Sequence, residues 1–333
     1  MEQETNSSNR LSSHSYGNRA IPYSNQLQFG SWNVEGLTET KLYQLCDIMR
    51  SRALTFVCLQ ETRVPYSGSR ILDNGYLLIT SGTDNDKKTF LGVGFLVAPW
   101  ARRAIFSFKT ISERLCYLKL RVHGGKALFF NTYAPHGGYE YNVRQTYFTE
   151  LRQILADTST YGPKFLVGDL NARIHNSIGG EGQVFGPHCF GNPNYNPEMQ
   201  PYANRELLLE MCVATGFCVA NTFLETAAEN QITYHELWAQ PMAPPSFKDF
   251  AQLDHILASY EELWQVRAVR SDRRQALASH HFLVEIVLDI RVDRNRVENG
   301  AGKSQEYIRY DLSALRRLHV QEHFGATFRD LAH

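Results

Sequence analysis

Short apolar segments, rich in β-branched and aromatic residues and bounded by Gly, Asp or Asn, dominate this sequence. Segments of this length and composition are typical of β-strands. Amphipathic periodicity predicts three helices, over residues 38–50, 140–156 and 204–215, the last with Asn204 as N-cap and Gly216 after its end. Many strands with few crossover helices favour sheets packed face to face with helices outside. The predicted strands span residues 27–33, 55–60, 90–98, 115–122, 127–133, 164–168, 216–221 and 282–290.

Composition divides the chain into three regions. Residues 1–25 are rich in Ser and Asn and nearly free of large apolar side chains, which predicts a disordered leader. Residues 26–291 carry the predicted strands and helices and form the folded domain. Residues 292–333 open with a charged run, which predicts a linker followed by a helical tail. Within the domain, residues 174–203 are dense in Gly, Pro and Asn and predict a long loop, either functional or a tolerated insertion.

Charge and targeting signals narrow the function class. The 333 residues contain 34 Lys and Arg and 34 Asp and Glu, so the formal net charge is zero. This balance argues against a polybasic protein, and it leaves room for an enzyme whose basic groups are confined to one groove. No stretch approaches the roughly 20 apolar residues of a membrane helix, and the N-terminus lacks a signal-peptide core. These features predict that the protein has no membrane partner. Six cysteines without a CxxC pair favour a reduced intracellular compartment.

Single acids, amides and a histidine interrupt the ends of the apolar segments. Strand alternation places Asn33 at the end of one apolar row, and Glu61 continues the face of Val57 and Leu59. A carboxylate in such a place is costly to bury unless a cation or another partner satisfies it. Taken singly, each of these residues is more often a turn former or a cap. The whole set is Asn33, Glu61, Asp169, Asn171, Asp254 and His281.

Taken together, this set offers oxygen ligands and a histidine but no thiol. Hard oxygen ligands suit Mg²⁺ or Mn²⁺ better than zinc. An adjacent Asp and His can orient water and stabilise the charge that builds on a phosphate. The sequence therefore predicts metal-assisted hydrolysis of a phosphate ester. A zinc hydrolase is the weaker hypothesis, because His280-His281 lacks the HExxH spacing.

The order of these motifs resembles the endonuclease/exonuclease/phosphatase superfamily over most of residues 27–290. The resemblance implies a four-layer α/β/β/α sandwich, in which two mostly antiparallel sheets lie face to face with helices outside. The matching segments are Ser-Trp-Asn33-Val-Glu35-Gly-Leu, Leu-Gln-Glu61-Thr, Asn-Thr-Tyr133-Ala-Pro-His, Gly-Asp169-Leu-Asn171-Ala, Leu-Asp254-His-Ile-Leu and Ser279-His280-His281.

Within that superfamily the chain is most similar to the endonuclease domain of non-LTR (LINE-type) retrotransposons. The similarity lies in Gly186-Pro187-His188, in the segment that begins at Asn204, and in Ile232-Thr233-Tyr234. The segment after residue 310 is similar to the linker that leads longer relatives toward a reverse transcriptase domain.

Three positions depart from the pattern. Arg205 stands where the relatives usually have Gly, and Glu35 stands where some have Asp. His280 replaces the Asp of a Ser-Asp-His motif. Because that Asp helps to hold the metal in the family, its loss predicts weaker metal binding or catalysis unless His280 substitutes for it.

The resemblance implies a nuclear enzyme that nicks DNA and leaves 3′-OH and 5′-phosphate ends. Glu61 and Asn33 would hold Mg²⁺ or Mn²⁺, with Glu35 and His280 near the ion. The implied catalytic residues are Asp169 and Asn171, which place water, His281, which is oriented by Asp254 and stabilises phosphoryl charge, and Tyr133, which contacts the phosphate. The expected DNA contacts are Arg63, Arg173, Tyr139 and Thr233, with Arg70, Lys87, Lys88, Arg102, Arg103 and Tyr141 as further candidates.

Three alternatives stay open at this point. The His280 substitution is compatible with a catalytically impaired remnant that binds DNA or a partner without cutting. A phosphomonoesterase of the same superfamily shares the scaffold, although Phe165-Leu-Val-Gly-Asp169 and Leu253-Asp-His-Ile-Leu differ from the usual motifs of those enzymes. An apurinic-site repair endonuclease also fits the motifs.

Overall fold

The computed structural model describes residues 26–82, 90–158, 160, 162–196, 204–274 and 277–290. The α-helices in this part of the chain are α1 (Glu39–Ser51), α2 (Tyr141–Asp157), α3 (Arg205–Thr215) and α4 (Ala228–Gln231). The strands are β1 (Gln26–Asn33), β2 (Phe56–Gln60), β3 (Gly68–Ile71), β4 (Leu77–Ser81), β5 (Val93–Val97), β6 (Ile105–Ser112), β7 (Leu115–Val122), β8 (Gly125–Tyr133), β9 (Lys164–Asp169), β10 (Phe217–Val219), β11 (Tyr234–His235), β12 (Phe250–Ala251), β13 (Asp254–Ser259), β14 (Val266–Asp272) and β15 (Leu283–Asp289).

The strands form two large sheets. The seven-stranded sheet has the order β14-β15-β1-β2-β5-β4-β3, and the six-stranded sheet has the order β10-β13-β9-β8-β7-β6. Neighbouring strands are antiparallel except for two parallel pairs, β1 with β2 and β8 with β9. Strands β11 and β12 form a separate antiparallel pair. The prediction of two mostly antiparallel sheets is therefore confirmed.

Aromatic side chains fill the space between the two sheets. Phe29 stacks on Phe56 at 4.6 Å within the larger sheet and meets Phe129 of the smaller sheet edge-on at 5.4 Å. Phe129 in turn stacks on Phe165 at 5.5 Å, and all four rings are fully buried. Because each such ring buries a large apolar area, this cluster stabilises the face-to-face packing that the short strands require.

The helices cover the outer faces. Alternation along β8 sends Phe129 into the core between the sheets and sends Leu128 and Phe130 into a second core that contains α2 and α3. On the larger sheet, α1 buries one apolar face, and Arg52 at its end forms ion pairs with Asp272 and Glu285 of β14 and β15. The four-layer α/β/β/α order predicted by resemblance is confirmed.

Several element bounds differ from the prediction. The strand expected over residues 216–221 ends at Val219, because the chain turns into a 3₁₀ segment, Ala220–Phe223. Gly216 adopts a left-handed φ of 71° after α3, as its sequence position predicts. Asn204 occupies the N-cap position but does not cap the helix. Its side-chain amide instead donates to the carbonyls of Pro135 and Leu170, at 2.8 and 3.1 Å, and so holds the loop after β8 against the loop after β9.

The long loop after β9 is packed against the domain as far as residue 196. Ile174, Val184 and Phe185 contribute to the core beneath α3. The predictions for residues 1–25 and 292–333 fall outside the described residues. Within the described part, no helix is long and apolar enough to cross a bilayer.

Candidate active site

Strand direction brings the predicted residues to one edge of the sandwich. The parallel pair β1 and β2 ends at Asn33 and Gln60, which lie side by side, and Glu61 follows directly. The parallel pair β8 and β9 ends at Tyr133 and Asp169, which are also register partners. Because both pairs run the same way to their carboxyl ends, their terminal polar groups meet where the two sheets face each other. The antiparallel β13 begins here, with Asp254 beside Asp169.

The buried centre of this edge is an Asp–His–Asp arrangement. His281 Nδ1 lies 2.8 Å from Asp254 Oδ2, and His281 Nε2 lies 3.7 Å from Asp169 Oδ2. All three side chains are at most 6% exposed. The bond from Nδ1 to Asp254 fixes the orientation of the imidazole, so that Nε2 faces Asp169 and the open side of the site.

Burial and charge change the protonation of this centre. Burial is the largest influence on the imidazole of His281 and lowers its pKa, but Asp254 and Asp169 together reverse that effect, so the pKa is raised above its ordinary value. Burial raises the pKa of Asp169, and the nearby Asp254 carboxylate raises it further against the opposing charge of His281. These shifts favour the protonated imidazole of His281 and increase the affinity of the Asp169 carboxylate for a proton.

Asn33 joins the two sheets at the site. Its side-chain amide donates to Glu61 Oε1 at 3.2 Å and to Asp169 Oδ2 at 3.1 Å, while its Oδ1 accepts from the backbone N–H of Glu35 at 3.1 Å. The amide oxygen is therefore engaged away from the carboxylates. This arrangement differs from the prediction of Asn33 as a metal ligand, because its N–H groups rather than its oxygen face the site.

The Asn33 amide donates to two carboxylates, those of Glu61 and Asp169. The Glu61 side chain is the more accessible of the two, at 15% exposed. Tyr133 donates its hydroxyl proton to Glu61 Oε1 at 2.6 Å, and Arg63 binds Glu61 Oε2 at 3.0 Å. Burial, followed by the charges of Glu61 and Asp169, raises the pKa of Tyr133 far above its usual range, so this phenol stays a proton donor.

Backbone strain is concentrated at this edge. Six residues other than glycine have positive φ in the part of the chain that the structure describes, and four of them belong here: Glu35 at 44°, Glu61 at 47°, Arg63 at 55° and Asn171 at 48°. Each such conformation costs about 1–3 kcal/mol and persists only where surrounding contacts enforce it. For Asn171, those contacts are a backbone bond to Asp169 Oδ1 at 2.9 Å and a side-chain bond to the carbonyl of Ala134 at 2.9 Å.

The substituted position, His280, is paired with Glu35. Its Nδ1 lies 3.0 and 3.1 Å from the two carboxylate oxygens of Glu35, and its backbone N–H also points to that carboxylate. The two side chains are 34% and 22% exposed. The His280 side chain therefore binds the carboxylate of Glu35 and contributes no carboxylate itself.

The carboxylates of this edge suit a hard divalent cation, which would replace hydrogen bonds that they already make. Glu61 accepts from Asn33, Tyr133 and Arg63. Glu35 is engaged by His280. The described residues contain one compact group of potential ligands, Asp169, Asp254 and His281, with ligand atoms within 4.8 Å of one another. Because the His281 imidazole already lies between those two carboxylates, a cation there would have to displace its hydrogen bond. Glu61 offers oxygens that are more open to solvent, and oxygen donors without a thiol suit Mg²⁺ or Mn²⁺.

The expected DNA contacts divide into two groups. Arg63 and Tyr139 are more than one-third exposed, and Arg63 lies over the ring of Phe90. Arg173 forms an ion pair with Glu236 and is only 21% exposed. Thr233 is a correction to the sequence analysis, because its side chain is buried and accepts hydrogen bonds from the backbone N–H groups of Leu253 and Asp254. Thr233 therefore holds Asp254 in place instead of facing DNA.

The other candidate cations are not concentrated at the site. Arg70 forms an ion pair with Glu39, and Arg102 donates to the carbonyl of Gly75. Tyr141 is 54% exposed at the start of α2. Lys87 and Lys88 fall outside the described residues.

Three residues support the site without having been singled out. Ser279 donates to the carbonyl of Asn33 at 2.7 Å and accepts from the N–H of His281 at 3.1 Å. Trp32 donates its indole N–H to the carbonyl of His281 at 2.8 Å. Arg114 lies over the rings of both Tyr133 and Tyr139, at 5.2 Å in each case. Ser279 stood in a quoted motif, whereas nothing in the sequence around Arg114 indicated that the turn after β6 reaches the site.

Fold and site together define a two-sheet α/β/β/α sandwich with an acid–histidine centre at the carboxyl ends of its parallel strand pairs. The chain belongs to the Endonuclease/Exonuclease/phosphatase family, whose sequence profile matches residues 30–277. No curated protein sequence matches it significantly.

Solved structures of low sequence identity share this fold. The AP endonuclease LMAP from Leishmania major is 15% identical, with a TM-score of 0.57 over 79% of this chain and 87% of that one. The 3′ phosphatase NExo from Neisseria, bound to product DNA hairpin, is 16% identical, with a TM-score of 0.55 over 78% and 98%. The endonuclease domain of TRAS1, a telomere-specific non-LTR retrotransposon, is 10% identical, with a TM-score of 0.51 over 79% and 98%.

Proposed function

We propose that this protein is a divalent-metal-dependent phosphodiesterase that nicks DNA in the manner of a retrotransposon endonuclease. The observation that carries the proposal is the meeting of Asp169, Asp254 and His281 with Glu61 at one edge, bridged by Asn33. A buried carboxylate with a raised pKa beside a protonated imidazole provides a base and an electrophile within one site.

The residues would divide the reaction as follows. Asp169, placed by its bond to the N–H of Asn171, aligns a water molecule and takes its proton as the water oxygen bonds to phosphorus. His281, oriented by Asp254, donates a hydrogen bond from Nε2 to the phosphoryl oxygen as negative charge builds. The bond from phosphorus to the 3′ oxygen breaks, and that oxygen takes a proton from solvent. The products are a 3′-OH and a 5′-phosphate.

Glu61 would hold Mg²⁺ or Mn²⁺, with Glu35 close by. When bound, such an ion stabilises negative charge on phosphate oxygens as a Lewis acid. Tyr133 and Arg63 hold the Glu61 carboxylate in place from two sides, at 2.6 and 3.0 Å. This arrangement orients the Glu61 carboxylate before any ion arrives.

DNA is supported as substrate by the similarity to a structure bound to product DNA and to a retrotransposon endonuclease domain. The motifs around Gly186 and Asn204 favour the retrotransposon type, in which the nick primes reverse transcription. With this function the protein would act in the nucleus. In longer relatives, the endonuclease domain would belong to the same chain as a reverse transcriptase domain. The AP endonucleases of the same fold make preference for abasic DNA the main competing specificity.

A supercoiled-plasmid nicking assay tests the proposal. We expect conversion to the open-circle form with Mg²⁺ or Mn²⁺ and none with EDTA. The variant His281→Gln keeps a polar side chain but loses the cationic donor, and we expect it to nick about 10²–10³ times more slowly. Equal nicking by His281→Gln, or nicking in EDTA, would disprove the assignment. Release of inorganic phosphate without nicking would identify a phosphomonoesterase instead.

The pairing of His280 with Glu35 favours one second candidate, a catalytically impaired remnant that still binds DNA. In that case the wild-type protein binds plasmid DNA but leaves it intact at every Mg²⁺ or Mn²⁺ concentration. Recovery of nicking by His280→Asp would then identify the substitution as the defect.

A further inference from the structure

Three adjacent strands of the smaller sheet carry basic residues but no acidic ones. Strands β6, β7 and β8 contain Lys109, Lys119, Arg121 and Lys126 and not one Asp or Glu. In a chain with equal numbers of acidic and basic residues, such a separation of charge marks a surface. We call the outward face formed by these residues, together with Phe106 and Lys164, the basic face.

Strand register shows that these cations share one side of the sheet. Lys119 is the register partner of Leu128, which is in turn the partner of Lys164, and Arg121 is the partner of Lys126. Lys109 lies opposite Tyr117, two residues from Lys119 on β7. Since partners across neighbouring strands project from the same face, the positive charges form a continuous patch.

The local environment indicates that the cations crowd one another. Burial, and next the Lys126 ammonium, lowers the pKa of Lys119; burial, and next Lys119, lowers that of Lys164. Lys126 Nζ and the Arg121 guanidinium both lie over the half-exposed ring of Phe106, at 3.5 and 5.1 Å. Among the described residues no carboxylate forms a salt bridge with these four lysines; Lys164 Nζ donates to the carbonyl of Leu155 at 3.0 Å. A bound anion would therefore reduce the electrostatic repulsion between these lysines, which no carboxylate among the described residues neutralises.

The basic face lies away from the candidate active site. Strand β8 runs from Lys126 near its start to Tyr133 at the site, seven residues later, which corresponds to about 23 Å along the strand. A duplex that crosses the site edge does not also cover this outer face without a bend.

We propose that the basic face binds the phosphates of a second segment of nucleic acid, distinct from the segment that enters the site. An array of cations around an exposed aromatic ring is the usual composition of sequence-independent nucleic-acid surfaces. Binding here does not require cleavage, so the proposal does not depend on the activity of the site.

Binding of a labelled oligonucleotide in EDTA, followed by fluorescence anisotropy at several salt concentrations, tests the proposal. The test variant is Lys109→Glu/Lys126→Glu, in which both side chains are exposed. The matched control is Arg50→Glu/Arg267→Glu, which makes the same change of charge at exposed positions of α1 and β14. Thermal unfolding verifies that both variants are folded.

We expect the test variant to bind at least about tenfold more weakly than wild type, with a slope of log affinity against log salt smaller by about 2. The control is expected to stay within about twofold of wild type. Equal losses in both variants, or no loss in either, would overturn the proposal, as would a loss of binding to phosphatidylserine vesicles with unchanged affinity for the oligonucleotide. Failure of the nuclease proposal appears separately, as absence of plasmid nicking.

Discussion

Two buried clusters of charged side chains in this molecule differ in how completely their polar groups are hydrogen-bonded. Arg205 is completely buried beside the loop after β9, and all five of its N–H donors are bonded. Its Nε donates to the carbonyl of Ile174, and its two terminal nitrogens bind Glu181, Glu206 and the carbonyl of Asn176. The rings of Phe185 and Tyr195 lie against the guanidinium.

The Asp169–Asp254–His281 centre is equally buried but less completely bonded. Asp254 Oδ1 has no hydrogen-bond partner among the described residues, and His281 Nε2 remains 3.7 Å from Asp169. A buried group without a partner costs about 1–3 kcal/mol. The Arg205 guanidinium therefore has no donor left for another partner, whereas Asp254 Oδ1 and His281 Nε2 have capacity to bind a substrate or an ion.

The largest expected effect is a loss of nicking rate on changing the Asp169–Asp254–His281 centre. Asp169→Asn keeps the shape of the side chain but removes the base, so nicking should slow by about 10²–10³ in kcat. Because it also removes a carboxylate beside Asp254, the melting temperature should stay the same or rise. Single-turnover nicking and calorimetry measure the two quantities. A large fall in stability with normal nicking would mean that this centre is structural.

The complementary change is Arg205→Ala. It leaves Glu181 without its cation, and breaking a buried ion pair in this way costs about 3–5 kcal/mol in the free energy of unfolding. Urea denaturation should show this loss, whereas the control Glu206→Ala, at a side chain 29% exposed, should lose far less. At a temperature where Arg205→Ala is folded, its nicking rate should match wild type. An equal loss in both variants would contradict the role given to Arg205.

A smaller effect is expected at the substituted position. His280→Asp replaces the partner of Glu35 with a second carboxylate, so the site should bind Mg²⁺ about tenfold more tightly. The Mg²⁺ concentration for half-maximal nicking should fall, and Mg²⁺ should raise the melting temperature more than it does for wild type. His280→Ala, which removes the imidazole without adding a charge, is the control. Identical Mg²⁺ responses in all three proteins would show that position 280 does not act on the metal.

Much of the site was predictable because single polar residues at the ends of apolar strands are visible in a sequence. Glu61 follows β2 directly and Asp169 ends β9, where the apolar segments stop; the catalytic and metal-binding roles given to them stay predictions. The edge strand β3 was missed because its residues are largely exposed, and β6 because its half-buried residues lack a clear apolar row. The buried strands β4 and β13 were also missed. The many strands with few crossover helices indicated sheets packed face to face, and the family resemblance added the four-layer order.

The residues that were misjudged depend on contacts distant in sequence. Thr233 sits in a motif, but its hydroxyl is held by the backbone N–H groups of Leu253 and Asp254, 20 and 21 residues further along the chain. Arg205 was noted only as a departure from the family pattern, and its bonds to Ile174, Asn176 and Glu181 join residues 24 to 31 positions apart in the chain. Sequence position alone does not distinguish a polar side chain that faces substrate from one that holds another side chain.

The smallest expected effect concerns His175, which lies beside the Arg205 cluster. Its ring stacks on Tyr195 at 4.8 Å, and its Nδ1 accepts from the N–H of Asn192 at 2.9 Å. Burial, helped by the charges of Arg173 and Arg205, lowers the pKa of His175 to about 4 from its ordinary 6.5. The folded state therefore requires the neutral ring, while the unfolded chain takes up a proton below about pH 6.5.

Stability from this residue is fully present above pH 6.5 and is lost as the pH falls toward 4. We expect wild type to lose at most about 1.4 kcal/mol per pH unit through this one proton. His175→Gln should show a shallower decline, and His123→Gln, at an exposed position, should follow wild type. Urea denaturation across this pH range measures the slopes. If the stability of His175→Gln fell as steeply with pH as that of wild type, protonation of the His175 ring would carry no cost in stability. The cluster around Arg205 would then tolerate an added positive charge, as the Asp169–Asp254–His281 centre does.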